Sequence, residues 1–224
     1  MQIKLSRGEY WILESLISIK YPVCDYSSPD HEAIFNRPTH GLDHAELLDT
    51  LDAMVRSGWI SAHWWDMLPD HDPETAPFAP TRKEIEAALV APRLDSLRHP
   101  SERPPLMYAE LTALGGSVWE SFACPTWDAF MDVDLGMNGP GEFVAVQKWR
   151  LEKYLLHAHY LGTLIRLDTL QWDVISPWQA TYWKTLPVGH RVRFENQQDH
   201  SIPNWDLIPS ACSRLQKWYC WSSA

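Results

Sequence analysis

The sequence predicts an α+β protein in two parts, an acidic domain over residues 1–135 and a smaller mixed α+β domain over residues 141–224. Three helix-start signals, each a Ser, Asp or Thr followed three residues later by Glu, precede apolar residues at helical spacing. Short apolar runs of strand length, WISAHWW and LMYAEL, follow the second and third of them. The stretch from Gly136 to Gly141 then indicates a boundary between the two parts.

The first helix is predicted to begin after Ser6, because Glu9 completes a capping box with this residue. Its apolar residues recur every three to four positions, and the helix ends before Pro22. A polar stretch follows, in which the segment from Asp30 to Phe35 is predicted to form a short helix.

The strongest helix signal starts at Asp43 and Glu46, a second capping pair. Five apolar side chains follow on one face of this helix: Leu47, Leu48, Leu51, Met54 and Val55. Gly58 ends the helix, and the run WISAHWW continues as a strand. A third capped helix is predicted from Thr81, LMYAEL is the next strand, and Thr112 caps the helix after it.

The secondary-structure signals are weaker in the second part of the chain. Residues 124–141 are predicted to be loop, and the runs EFVAV, LQWDVI and HRVRF are predicted strands. The run QKWRLEKYLLHAHYL is a predicted helix. Arg191 and Arg193 alternate in HRVRF and are expected on one face of its strand.

The charge is strongly acidic and unevenly distributed. The formal net charge is −10, with ten Lys or Arg against twenty-two Asp or Glu in residues 1–140 and nine against seven in residues 141–224. This balance argues against non-specific binding to nucleic acid or to anionic membranes. No apolar run approaches the roughly 20 residues of a transmembrane helix, and no signal peptide is recognised, so a cytoplasmic protein is expected. Four cysteines without a CxxC pair indicate buried or free thiols.

Two motifs carry a resemblance to a known superfamily. Gly58, Trp59 and Ile60 open one predicted strand, and Tyr108, Leu111, Thr112 and Gly115 close another and start a helix. Over residues 6–122 this pattern resembles the winged-helix fold of PadR-type and MarR-type regulators. The resemblance implies that the helix before Gly58 corresponds to the one that enters DNA, and that the two strands form the wing.

The sequence departs from the DNA-binding pattern at the positions that would meet DNA. Glu46, Asp49 and Asp52 are predicted to point outward from the strongest helix, with Arg56 as the single base beside them. Carboxylates there would repel phosphates. The connection between the two wing strands is long and contains acids, among them Asp66 and Asp70. DNA binding through this surface is therefore disfavoured.

No residue pattern identifies a catalytic centre, a metal site or a cofactor. His157 and His159 lie two apart on a predicted helix and would point to different faces, so they do not form a ligand pair. The loop HWWDMLPDHD is rich in His and Asp but does not fit the spacing of an EF-hand, and a solvated loop is the preferred interpretation. The motifs of phosphate-binding and nucleophile loops are missing.

The leading hypothesis is a non-enzymatic protein-binding module that engages a basic protein partner. Thirteen tryptophans in an acidic chain favour aromatic anchors within a charged surface. The residues expected to form it are Glu46, Asp49, Asp52, Trp59, Trp64, Trp65, Asp66 and Asp70. An immunity protein that neutralises a toxin with a basic active site would need such an acidic, aromatic surface.

The alternative is a winged-helix transcriptional regulator that binds DNA through another surface. The basic residues of the second part support it, and they include Lys148, Arg150, Lys153 and Arg166 beside the arginine pair of HRVRF. The sequence leaves the oligomeric state open.

Overall fold

The structure, a computed structural model, describes residues 4–65, 76–92, 105–135, 138–160 and 163–198. The protein is of mixed α+β class. Its contacts divide the chain into two units: unit 1 comprises Met1–Pro125 together with Thr181–Lys184, and unit 2 comprises Thr126–Ala180 and Thr185–Ala224. The chain therefore changes unit at Pro125, ahead of the glycine-rich stretch at which the sequence places the boundary.

Unit 1 contains five helices and a three-stranded antiparallel sheet among its described residues. In chain order the elements are α1 (Arg7–Ser15), β1 (Tyr21–Pro22), a 3-10 helix (Val23–Ser27), α2 (His31–Phe35), α3 (His44–Arg56), β2 (Ile60–Trp65), α4 (Arg82–Leu89), β3 (Leu106–Leu111) and α5 (Ala113–Ala123). The strand order in the sheet is β1-β3-β2. Both neighbours of β3 run antiparallel to it, and Ile60 lies opposite Leu111.

The three helix starts predicted from capping pairs are confirmed. Capping involves residues that are close in sequence, so spacing alone can predict it. The side chains of Ser6, Asp43 and Thr81 each accept a hydrogen bond from the backbone N–H three residues on, and the Glu at that position bonds back to the cap. The five apolar residues predicted for α3 are all buried. Gly58 follows the end of α3 with a φ of 70°, a left-handed conformation that glycine adopts without steric cost.

The core of unit 1 lies between the sheet and helices α3 and α4. Leu51 and Val55 of α3, Ile85 of α4 and Ala109 of β3 line one small apolar cavity there. The helix α4 comes from the long connection between β2 and β3, so part of this connection packs back against α3. The connection therefore supplies core to unit 1.

The described residues of unit 2 form a five-stranded antiparallel sheet, and the helix α6 (Lys148–Tyr160) packs against it. The elements of unit 2 are a 3-10 helix (Trp127–Ala129), β4 (Met131–Leu135), β5 (Asn138–Ala145), α6 (Lys148–Tyr160), β6 (Thr163–Ile165), a 3-10 helix (Leu167–Thr169), β7 (Gln171–Ile175), β8 (Trp178–Gln179), β9 (Thr185–Leu186) and β10 (Gly189–Gln198). The strand order is β4-β5-β10-β6, and β7 also pairs with β10. β8 and β9 form a separate two-stranded pair.

The prediction of loop over residues 124–141 is wrong, since β4 and the start of β5 lie within it. The run MDVDL alternates, so that Met131 and Val133 pack on the core formed with α6 while the two aspartates are exposed. Gly141 is within β5, where a Cβ would lie 2.6 Å from a ring carbon of Phe194. Gly141 lets the ring of Phe194 pack closely against the strand. It therefore does not mark a domain boundary, although the sequence suggested one there.

The hydroxyl of Tyr182 joins two element ends of unit 1. It donates to the carbonyl of Leu16, the C-cap of α1, at 2.6 Å and accepts from the N–H of Leu111, the last residue of β3, at 2.8 Å. Burial raises the pKa of this hydroxyl. One side chain therefore satisfies two backbone groups, one at the end of α1 and one at the end of β3.

We expect Tyr182→Phe to lower the free energy of unfolding by about 1–3 kcal/mol, because both backbone groups lose their partner in a partly buried place. Urea denaturation measures this. Tyr21→Phe is the matched control, since the Tyr21 hydroxyl forms no hydrogen bond within the described part of the chain. Equal losses in the two variants would contradict the assigned role of Tyr182.

Two buried histidines meet at one backbone carbonyl. Nε2 of His31 and Nε2 of His40 lie 3.1 Å and 2.9 Å from the carbonyl oxygen of Tyr26. Nδ1 of His40 accepts from the N–H of Leu42 at 2.9 Å, which requires this nitrogen to be unprotonated. Burial lowers the pKa of His40, and the neighbouring His31 and Arg7 lower it further.

We expect the stability of the protein to fall as the pH drops below the ordinary histidine pKa of about 6.5. Below that pH the unfolded chain binds a proton at His40 before the folded chain does, so the stabilisation is complete above it and is lost on acidification. Denaturation at neutral and mildly acidic pH measures the difference, which His40→Gln should reduce. His44→Gln removes an exposed histidine and leaves this hydrogen-bonded pair intact; an equal reduction there would contradict the assignment.

Candidate protein-binding site

The first turn of α3 presents one of the predicted acids to solvent. An Oε of Glu46 accepts a hydrogen bond from the N–H of Asp43 at 2.9 Å, and Oδ1 of Asp43 accepts from the N–H of Glu46 at the same distance. Both side chains are exposed. Glu46 therefore combines a capping role with a surface charge, which also suits the positive end of the helix dipole.

Further along α3 the structure corrects one prediction. Asp49 is exposed as expected, but Asp52 is buried, with 12% of its side chain accessible. Arg82 of α4 lies 2.6 Å from Asp49 and 3.8 Å from Asp52, and Arg56 lies 2.9 Å from Asp52. Asp52 is buried because α4 packs against α3, an arrangement that the helical pattern of α3 alone does not reveal.

The three predicted tryptophans do not form one surface. Trp64 and Trp65 are successive residues of β2 and lie on opposite faces of the sheet. Trp64 is 37% exposed and stacks on Phe78 with ring centroids 6.3 Å apart. Trp65 packs against Tyr108 at 4.8 Å. Trp59 is half-buried, and its carbonyl accepts from the N–H of Thr112. Trp64 is thus the one aromatic anchor among the three that is open to a partner.

Two further predicted residues, Asp66 and Asp70, lie outside the described residues. Most of the His- and Asp-rich loop lies there too. Their part in a binding surface stays a prediction.

A surface that we call the α3–α4 surface gathers the exposed acids of these two helices. Its carboxylates are those of Asp43, Glu46, Asp49, Glu84 and Glu86. The hydrogen bonds that Thr81 donates from its backbone and its hydroxyl lower the pKa of Glu84. The bases on these helices are Arg56 and Arg82, both already ion-paired, and the exposed Lys83. The surface is consequently acidic.

Sequence reasoning missed a buried carboxylate in the sheet of unit 1. Glu110 on β3 lies 2.9 Å from Nζ of Lys20 and accepts a hydrogen bond from the hydroxyl of Ser61 at 3.0 Å. Nδ1 of His63 is 3.7 Å from the same carboxylate, which is too long for a hydrogen bond. The only signal was one acid within the apolar run LMYAEL. Only 8% of the Glu110 side chain and 1% of the His63 side chain are exposed, so neither can readily contact a substrate, and we assign both a structural role.

The basic residues of unit 2 are largely neutralised. Arg191 and Arg193 lie on one face of β10, as predicted, and both contact Asp173, at 2.6 Å and 3.0 Å. The hydrogen bond from Arg191 lowers the pKa of Asp173. Arg166 pairs with Asp168 at 2.8 Å, and Lys148 lies 3.8 Å from Glu152. Among the described residues of this unit, Arg150 and Lys153 form no ion pair and lie over the ring of Trp149, 4.8 Å and 5.0 Å from its centre, so α6 keeps some positive charge.

Histidines do not gather into a metal site in the described ranges. No group of three or more His, Cys, Asp or Glu with metal-binding geometry occurs among the residues that the structure describes. His157 lies on α6, as predicted, and α3 begins at His44, which separates it from His40. Within the same ranges no helix is long and apolar enough to cross a membrane.

We expect Arg82→Gln to lower the free energy of unfolding by about 1 kcal/mol, because the buried Asp52 loses one of its two compensating charges. The matched control is Lys83→Gln, which removes the same charge one residue away and should change stability by less than about 0.5 kcal/mol. Denaturation of both variants at low salt measures the difference. Indistinguishable losses would show that Arg82 acts only through the net charge.

Comparison with known proteins finds no matching family model, no matching curated protein and no matching solved structure.

Proposed function

We propose that the protein is a non-enzymatic binding module that engages a basic protein partner through the α3–α4 surface. The observation that supports this most directly is the group of five exposed carboxylates on two packed helices, whose arginines are already paired with acids. Opposite charge accelerates encounter with a basic partner and disfavours acidic competitors.

Aromatic contact would supply affinity that charge alone does not. Trp64 is exposed at the end of β2 and rests on Phe78, so its ring is held in place before binding. A preorganised tryptophan is typical of interface hot spots. The role that we favour is that of an immunity protein, since a toxin that acts on nucleic acid presents a basic active site.

The order of elements supports a winged-helix-like assignment for unit 1. The elements α1, β1, α2, α3, β2 and β3 occur in this order, with α4 between the last two strands, and the strand order in the sheet is β1-β3-β2. This order also favours the second candidate function, a regulator that binds DNA. The acids of α3 argue against DNA binding. The packing of α4 also argues against it, because Arg82 of α4 forms an ion pair with Asp49.

Neutralising acids of the α3–α4 surface tests the proposal. In the triple variant Glu46→Gln, Asp49→Asn and Glu86→Gln, the first change keeps a capping residue that can still accept the hydrogen bond. The matched control removes three exposed acids of unit 2, by Asp132→Asn, Asp134→Asn and Glu195→Gln. Both variants change the net charge equally, so they separate a local surface from overall charge.

The measurement is capture of basic proteins from a lysate of the source cells at low salt, followed by association kinetics with the protein recovered. We expect the α3–α4 variant to associate about tenfold more slowly than wild type and the control variant to stay within about twofold. Salt at about 1 M, where the Debye length is about 3 Å, should remove the difference. Equal slowing in both variants, or association that ignores salt, would exclude this surface.

The DNA alternative has its own test. Gel retardation with genomic fragments at low salt should show no shift with wild type. A clean shift with the wild-type chain, in which Glu46 and Asp49 carry their charges, would favour the regulator and would contradict the proposal.

A further inference from the structure

An open groove lies between α1 and the segment that follows α2. Its volume is about 310 Å³, within the range of small-ligand sites, and it is lined by Arg7, Tyr10, Trp11, Glu14, Asn36, Arg37, Pro38 and Thr39. We propose that this groove binds a carboxylate group carried beside an aromatic ring, as in a short peptide segment. The site is independent of the α3–α4 surface and adds a second, oppositely charged contact.

Two guanidinium groups mark the groove. Nη2 of Arg7 donates to the carbonyl of Thr39 at 3.2 Å, and the guanidinium of Arg37 lies 5.6 Å from the ring centre of Trp11. Among the described residues neither forms an ion pair with a carboxylate. The arginines that do so are Arg56, Arg82, Arg166, Arg191 and Arg193. Arg7 and Arg37 therefore keep donors available for an anion, and guanidinium groups match a carboxylate in shape and charge.

Aromatic walls stand next to these donors. The indole N–H of Trp11 donates to the carbonyl of Pro38 at 2.8 Å, and its ring packs edge-on against Phe35 at 4.9 Å. Tyr10 rests against Phe122 with ring centres 5.0 Å apart. Trp11 is buried and held by its hydrogen bond, so the wall exists before a ligand arrives, which reduces the entropy lost on binding.

A fixed acid in the groove selects among anions. Oε2 of Glu14 accepts from the indole N–H of Trp119 at 2.6 Å, and burial and this carboxylate raise the pKa of Tyr10. Its charge repels a phosphate dianion more strongly than a single carboxylate. The net charge of −10 likewise disfavours polyanions. A monocarboxylate with an apolar neighbour suits all three features: the guanidinium groups, the aromatic walls and the acid.

The test uses the full chain labelled with ¹⁵N and follows the indole N–H signal of Trp11. The probe is N-acetylphenylalanine, and a second probe, acetyl-Asp-Phe-amide, asks whether the carboxylate belongs to a chain terminus or to a side chain. We expect a saturable shift with at least one of them, with a Kd of about 1 mM or below. N-acetylphenylalaninamide, which lacks the charge, should produce no shift.

Two variants and one control locate the site. Arg37→Gln and Arg7→Gln should each raise the Kd about tenfold, whereas Arg166→Gln, an exposed arginine of unit 2, should leave it unchanged. Thermal melts confirm that all three variants fold, as expected for surface substitutions. A wild-type Kd in both groove variants, equal binding of the uncharged amide, or no saturable shift with either carboxylate would overturn the proposal. Tighter binding of benzylphosphonate than of both carboxylates would assign the groove to phosphate instead.

Discussion

The need to compensate buried carboxylates shapes unit 1. Glu110 on the central strand and Asp52 on α3 are both largely removed from water, and an ionised carboxylate in such a place is costly unless a cation and hydrogen-bond donors accompany it. Glu110 has Lys20, which lies just before β1, and Asp52 has Arg56 and Arg82. Arg56 pairs with Asp52 within α3, whereas Lys20–Glu110 and Arg82–Asp52 each join elements that are distant in sequence. These two pairs therefore link separate elements of unit 1.

The same pairing accounts for the distribution of charge on the surface. Among the described residues, two of the four arginines of unit 1 and three of the four arginines of unit 2 pair with acids of their own unit. What is left in excess on α3 and α4 is carboxylate, which underlies the proposed attraction of a basic partner. Of the described arginines without an ion pair, Arg150 lies over the ring of Trp149, whereas Arg7 and Arg37 both line the groove beside α1. These two cations are the basis of the proposed carboxylate site.

Local interactions were predictable from the sequence, and interactions between distant segments were not. The caps at Ser6, Asp43 and Thr81 and the apolar face of α3 follow from spacing, and the strands β2 and β3 follow from short apolar runs. Asp52 was placed outward because its burial depends on α4, about thirty residues further along. The Lys20–Glu110 pair joins positions ninety residues apart, and no spacing rule reaches across them. MDVDL was misassigned for a different reason, because Gly141, which allows close packing inside the sheet, resembles a glycine that ends a domain.

The position of Tyr182 bears on how the protein is made. Residues 181–184 complete unit 1, yet about sixty residues of the chain separate them from Pro125. At a synthesis rate of about 5–20 residues per second, the ribosome needs several seconds to supply them after the rest of unit 1 has been made. During that interval the end of β3 and the last turn of α1 lack their shared hydroxyl, so unit 1 reaches its final form only late in translation.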